Sequence, residues 1–323
     1  MSRKLLVTGA AGFIGRHAAR CAAERGNVVT GLGHGGWTPS EWRSWGLTSW
    51  RAADVTVEGL STCSEKPHAI LHLAGGGSVG FSLANPLEDF ERTVRSTAHV
   101  LEYVRKFSPD TRIIYASSAS VYGAVNNLPI SETCPRSPIS PYGVHKAMAE
   151  QLIELYARQF QLSAAVVRFF SVYGSGLRKQ LLWDACRKLA NDDCTFMGTG
   201  REVRDWLHVE DAARLMVMAV DEATFGCPIV NGGTGMGVSV RDILTELASN
   251  LSSPPEGVRF SGTERVGDPP AFVADIALSA RWGWRPFVPW RNGVAEYARW
   301  WKETEPSHVS LGSESLVVAG PGE

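Results

Sequence analysis

The chain has 323 residues, 44% hydrophobic and 20% charged, which is the composition of a globular rather than a disordered protein. Lysine plus arginine total 32 and aspartate plus glutamate 33, so the formal net charge of -1 gives no support to a general nucleic-acid binder. No apolar run reaches the roughly 18 residues a membrane span requires, and a chain of this length can build its core without a metal or disulfide staple.

Leu5 to Val7 reads as a strand, Ile14 to Arg25 as a helix closed by Gly26, and Val28-Val29 as the start of a second strand. A third strand region precedes Asp54. His68 to Leu73, Arg112 to Ala116 and Ala165 to Phe169 read as further strands, and Leu87 to Phe107 and Tyr142 to Phe160 have helical length. Strands alternating with helices predict an α/β fold, a doubly wound parallel sheet covered on both faces. Past Phe170 the pattern loosens. Leu181 to Ala190, Asp211 to Ala219, Val240 to Ala248 and Asn292 to Trp301 read as helices, and Trp206 to Val209 as a short strand. The expected organisation is a dinucleotide-binding domain over 1–170, rejoined by segments near 205–235. A smaller mixed α/β C-terminal lobe covers 171–204 and 236–304, and 305–323 is a loosely held tail. Trp37, Trp42, Trp45 and Trp50 follow the second strand. Packing over the sheet edge is expected of them, with a carbohydrate platform as the alternative. The six cysteines form no CxxC pair, and with no signal peptide they read as reduced thiols of a cytoplasmic protein.

Gly9, Gly12 and Gly15 set a GxxGxxG at the first strand-to-helix turn. The first glycine suits the tight turn, the second a close approach to a pyrophosphate, and the third the packing of helix on strand. The helix start, at Phe13 and Ile14, offers unpaired N–H groups to phosphate. An acid that would read the adenosine ribose is missing after the second strand, where Thr30-Gly31-Leu32-Gly33-His34 stands. NAD is the expected cofactor and NADP the alternative. His34 is a candidate for a 2′-phosphate contact or a plain loop residue. Asp54, followed by Val55, is a candidate acceptor for the adenine amino group.

Tyr142 and Lys146 lie one helical turn apart on one face. Ala116 to Ser120 ends a strand, where parallel-sheet enzymes place reactive groups. Together they predict a proton-transfer unit, with the lysine charge and an oxidised nicotinamide favouring the phenolate and Ser118 donating to the same substrate oxygen.

The chain resembles the extended short-chain dehydrogenase/reductases, specifically their nucleotide-sugar epimerase/dehydratase group, of the UDP-glucose 4-epimerase type. The resemblance rests on the glycine motif, His72-Leu73-Ala74, Ser117 to Gly123, Ser140 to Lys146, Arg168 to Gly174, Gly200 to Asp211, Gly267 to Pro269 and Trp282 to Pro286, in order over about residues 4 to 302. It implies a Rossmann domain with a smaller lobe closing over a nucleoside-diphosphate sugar. It makes Tyr142 the acid/base, Lys146 the ribose anchor and Ser118 the oxygen donor. It lines the cofactor with Leu73, Ala74 and Gly75, and sets Phe169 and Phe170 beside the nicotinamide pocket. It puts Ser120 and Ser171 near the sugar, and Arg204 and Arg265 on the diphosphate. It also implies a homodimer through the helices near 87–107 and 142–160, with no metal.

Four departures bear on the sugar. Ser171 stands where relatives carry asparagine, as do Thr93 and Arg95, and Gly75-Gly76-Gly77 replaces an alanine-rich loop. Ala119-Ser120 replaces the acid/base pair of the dehydratases and the glutamate of the decarboxylases. That leaves a C4 epimerase, with an NAD(P)H-dependent 4-keto-6-deoxy sugar reductase as the alternative.

Overall fold

A computed structural model describes residues 2–63, 66–252, 257–263 and 269–305. The chain runs through β1 (Lys4–Thr8), α1 (Phe13–Glu24), β2 (Val28–Gly33), α2 (Pro39–Ser44), β3 (Ser49–Ala52), α3 (Val57–Ser61) and β4 (Ala69–His72). It continues through α4 (Val79–Ala84), α5 (Pro86–Phe90), α6 (Ser96–Phe107), β5 (Arg112–Ser118), α7 (Pro141–Phe160) and β6 (Ala164–Phe169). The second half holds β7 (Ser171–Tyr173), α8 (Gln180–Leu189), β8 (Thr195–Phe196), β9 (Val203–His208), α9 (Val209–Glu222) and β10 (Ile229–Gly232). It closes with β11 (Gly237–Ser239), α10 (Val240–Leu251), β12 (Arg259–Phe260), β13 (Ala271–Phe272), α11 (Ala277–Arg281) and α12 (Trp290–Thr304).

Seven parallel strands form the large sheet, in the order β10-β6-β5-β4-β1-β2-β3. Alternation within each strand feeds two cores. Leu5, Val7, Leu71 and Ile114 point to one face, against Ala18 and Ala22 of α1 and Leu215 and Met216 of α9. Leu6, Ile70, Ile113 and Tyr115 point to the other, against Val100 and Val104 of α6 and Ala149 and Ile153 of α7. The doubly wound sheet expected from the sequence is therefore the observed one. The strand order reverses between β1 and β4, and the crevice at their C-terminal ends is where such sheets bind ligands.

Of the segment 205–235, α9 and β10 join the large sheet. β9 instead lies in a small sheet between β11 and β13 and also pairs with β7. It starts at Val203, three residues ahead of the expected strand. The smaller lobe has its own core, in which Leu182, Ile243, Leu247, Tyr297 and Trp301 surround Trp206.

The helix expected over 87–107 forms, with a π-turn inside it. After α5 the backbone widens into a π-turn over Glu91–Arg95 before α6 resumes. Thr93 is buried at that turn, and its Oγ1 accepts a hydrogen bond from the Gly76 N–H at 2.8 Å. Such turns recur at functional sites.

The four tryptophans pack, partly buried, against the core cluster that α1 lines. The Arg20 guanidinium lies 3.8 Å over the Trp45 ring, and Trp37 meets Trp50 edge-on. That is the packing alternative of the two weighed for them. All six cysteines are free thiols, and no described helix is long and apolar enough to cross a membrane. The tail from 306 onward lies outside the described residues.

Candidate active site

The glycine loop sits at the switch point. Gly9 holds a positive φ of 69°, and a Cβ there would come within 2.7 Å of the Ala74 backbone nitrogen. The loops after β1 and β4 are thus in direct backbone contact, which a side chain would prevent. A Cβ on Gly15 would collide with the Gly9 carbonyl, so α1 lies tight on its strand. α1 begins at Phe13 with Gly12 as its cap, no side chain bonds its first N–H groups, and its first turn carries no acid. That leaves an unblocked positive helix end, the chemistry a pyrophosphate needs. Ile14 packs into the sheet core and Phe13 against the smaller lobe.

Below the loops, Thr8 Oγ1 lies 2.7 Å from His72 Nδ1 and accepts from the Ala74 N–H at 3.3 Å. His72 is wholly buried, and desolvation pushes its imidazole down to about 3, so it stays neutral. At the ends of β2 and β3, His34 Nε2 meets Asp54 Oδ1 at 2.9 Å, both side chains largely exposed. The two residues expected to touch different parts of the adenosine are therefore partners of each other. Val55 turns inward and packs on the second core.

Around the chemical end, Ser140 caps α7 by accepting from the Gly143 N–H at 3.2 Å, and Pro141 starts the helix. A Cβ on Gly143 would lie 2.6 Å from the Ser120 carbonyl, so the helix seats Tyr142 directly against the turn after β5. The Tyr142 N–H also donates to Ser82 Oγ at 3.0 Å, which ties α4 to the site. Lys146 is buried and donates through Nζ to the Ala116 carbonyl at 2.8 Å. Its ammonium lies 4.9 Å from the Tyr115 ring centre and 5.8 Å from that of Tyr142.

Burial pushes the Lys146 ammonium down to about 8, against opposing pulls from Asp89 and Glu150. Burial also raises the Tyr142 phenol above its ordinary value, while hydrogen bonding to Ser118 lowers it. Among the protein's own groups, desolvation of Tyr142 outweighs the hydrogen bond that opposes it. Glu150 is wholly buried and accepts from Arg168, Arg136 and Ser117 at 2.7, 2.6 and 2.5 Å, so its charge is matched behind the site.

Ser118 ends β5 and accepts from the Ser120 N–H at 3.2 Å. Ser120 Oγ is buried with no hydrogen-bond partner, an unsatisfied group on the turn against which the start of α7 packs. Gly75 faces the lysine: a Cβ there would lie 3.5 Å from Lys146 Nζ. Leu73 is half-buried against the sheet core. Phe169 and Phe170 diverge. Phe169 is buried in the sheet core against Gly232, whereas Phe170 joins Tyr122 and Phe272 in a separate cluster. Ser171 opens β7 opposite Trp206 of β9, and Arg204 lies on β9 two residues before that partner. Arg204 Nη1 donates to the Val203 carbonyl at 2.8 Å. Arg265 lies outside the described residues.

Two site residues escaped the sequence reading. Asp89 of α5 is wholly buried, with Oδ2 2.6 Å from His145 Nδ1. His145 precedes Lys146 and was within reach of a motif reading. Asp89 carries no local signal, because the packing of α5 and the π-turn is what aims it inward.

Comparison with known proteins agrees with this geometry. The chain is 30% identical to CDP-paratose 2-epimerase of Salmonella typhi, over 92% of this chain and 98% of the relative. Its fold is similar to that of MoeE5 in complex with UDP-glucuronic acid and NAD, with a TM-score of 0.83 and 28% identity over 93% of this chain and 99% of the other. It is likewise similar to UDP-glucose 4-epimerase with UDP-glucose from Thermotoga maritima, with a TM-score of 0.81 and 25% identity over the same shares. A family model for the NAD dependent epimerase/dehydratase family matches residues 5–231. A glycine loop at the switch point, a tyrosine and lysine one turn apart beside a serine strand and a family match over most of the chain agree, and the protein belongs to the NAD-dependent epimerase/dehydratase family.

Proposed function

We propose that this enzyme is a nucleotide-sugar C4 epimerase. The carrying observation is the arrangement of Tyr142 against Ser118, with the buried Lys146 one helical turn on and the unpaired Ser120 hydroxyl two residues past Ser118. Gly9, Gly12, Phe13, Ile14, Gly15, Leu73, Ala74 and Gly75 are the residues that would hold NAD, and the fit rests on the side-chain-free cradle and unblocked helix end. The bound nicotinamide would supply the hydride chemistry and a positive charge that favours the phenolate. Tyr142 would take the proton of the sugar C4 hydroxyl as a general base and, once the 4-keto sugar has turned its other face to the nicotinamide, return it to the C4 oxygen as a general acid. Ser118 orients the reacting oxygen, and Ser120 and Ser171 read neighbouring hydroxyls. Arg204 and Arg265 clamp the diphosphate, a task suited to the guanidinium fork. The relatives' UDP-sugars make a UDP-hexose the first substrate to test.

A second reading is favoured by one observation. No acid closes β2, and His34 there pairs with Asp54 rather than standing clear for a ribose. The missing acid fits NADP and a reductase of 4-keto-6-deoxy sugars, which must release its cofactor each cycle. The test is the dinucleotide freed when fresh protein is denatured. Near-stoichiometric NAD(H) supports the epimerase, whereas an empty site or weakly held NADP(H) overturns it for the reductase. We extend the reading to a homodimer, because Leu83, Leu87, Met148 and Leu155 expose apolar surface on α4, α5 and α7.

A further inference from the structure

Three consecutive glycines, Gly75 to Gly77, border the site, and polar groups occupy the space their side chains would fill. Gly75 faces Lys146 Nζ, with Thr93 Oγ1 3.4 Å from its would-be Cβ. At Gly76 a Cβ would collide with Asp89 Oδ1 and lie 3.2 Å from the same Thr93 oxygen. The ammonium and the buried carboxylate thus flank successive residues of one backbone stretch. Asp89 Oδ2 is held by His145, but Oδ1 is buried with no hydrogen-bond partner. A half-satisfied carboxylate at zero exposure is costly to keep.

The charges around Tyr142 and Lys146 single out this residue. From β4 comes His72, which is neutral, and from β5 the Tyr115 phenol, held well above its ordinary value by burial. From α7 itself comes Glu150, matched by Arg168 and Arg136. The π-turn presents Arg92, which turns outward to Glu88. α4 contributes the uncharged Ser82. Asp89 is the carboxylate of this set with no arginine upon it, and its partner is the imidazole of His145.

We propose that Asp89, clamped by His145, is a positioning residue that sets a negative charge against the Tyr142–Lys146 pair across the Gly75–Gly76 backbone. This rests on the reading of that pair as the acid/base unit. The charge favours the ammonium of Lys146 and disfavours the Tyr142 phenolate, opposing burial at the first and reinforcing it at the second. Returning a proton to a keto sugar needs a protonated tyrosine beside a charged lysine, and Asp89 favours both.

The test is a pH titration of tyrosinate absorbance in NAD-saturated full-length protein, taken as the difference from Tyr142→Phe. Asp89→Asn keeps the shape and an acceptor for His145 while removing the charge. Its Tyr142 midpoint is expected to fall by about one pH unit, with NAD affinity unchanged. Asp89→Ser, smaller and also neutral, gives the same downward shift if the asparagine variant does not fold. An unmoved midpoint in a folded, NAD-binding variant overturns the proposal and leaves Asp89 a packing role. A wild-type protein with no Tyr142-dependent titration overturns it through its premise, a separate result.

Discussion

The two ends of the proposed site are built by different means. At the proposed nucleotide end the parts are backbone: Gly9 in a left-handed turn, Gly15 packed on it, and the bare N-terminus of α1. At the proposed sugar end they are side chains gathered from separate elements. Ser118 and Ser120 come from the end of β5, Tyr142 and Lys146 from α7, Asp89 from α5, and Ser171 and Arg204 from the smaller sheet. A backbone site tolerates almost any sequence that keeps its glycines. A side-chain site is specified one residue at a time, so it is where relatives on one scaffold come to differ in substrate.

Mutations sharpen that contrast. The largest effect is expected at the sugar end. Tyr142→Phe should cut turnover by about 10²–10⁴-fold, the span of general acid–base catalysis, while dinucleotide stays bound. Steady-state rates and released dinucleotide measured on one preparation check both halves. At the nucleotide end, Gly15→Ala should cost about 1–3 kcal/mol of stability and lose dinucleotide, because its methyl meets the Gly9 carbonyl. Gly36→Ala is the control. Nothing lies within 4 Å of a Cβ there, so denaturant midpoints should move by no more than about 0.5 kcal/mol.

Arg204→Ala should weaken nucleotide-sugar affinity about tenfold or more, the worth of a charge-assisted hydrogen bond, and leave NAD affinity alone. Calorimetric titration with each ligand separates the two. The smallest effect is expected at Ser120. Removing its unpaired buried hydroxyl should leave the fold neutral or up to about 1 kcal/mol more stable, while KM for the sugar rises a few-fold. A thermal melt paired with a KM measurement reads both signs.

The same contrast explains what the sequence disclosed. Spacing is enough to place Gly9, Gly12 and Gly15 on one turn and Tyr142 with Lys146 on one helical face, and both arrangements form. Apolar runs alternating with helices likewise disclose the parallel sheet and six of its strands, while β10 at Ile229–Gly232 carries no such signal. What stayed hidden depends on distant partners. The helix over 87–107 carries a π-turn at Glu91–Arg95, where the Thr93 hydroxyl accepts from Gly76, seventeen residues away in sequence. Asp89 looks like a solvent-facing acid between Glu88 and Phe90 until the packing of α5 is seen to set it against His145. β9 reads as a return to the large sheet until its pairing with β7, β11 and β13 is seen. His34 and Asp54 were each read alone, and the structure couples them.

The central claim is that the Tyr142 unit reverses configuration at sugar C4 without consuming cofactor. The most direct measurement is proton NMR of UDP-glucose incubated with purified protein and no added dinucleotide, beside Tyr142→Phe. The account predicts a second anomeric signal from the C4 epimer, growing to equilibrium with wild type and nearly absent with the variant. An unchanged spectrum from NAD-loaded wild-type protein across the common UDP-hexoses, or equal conversion by Tyr142→Phe, would contradict it.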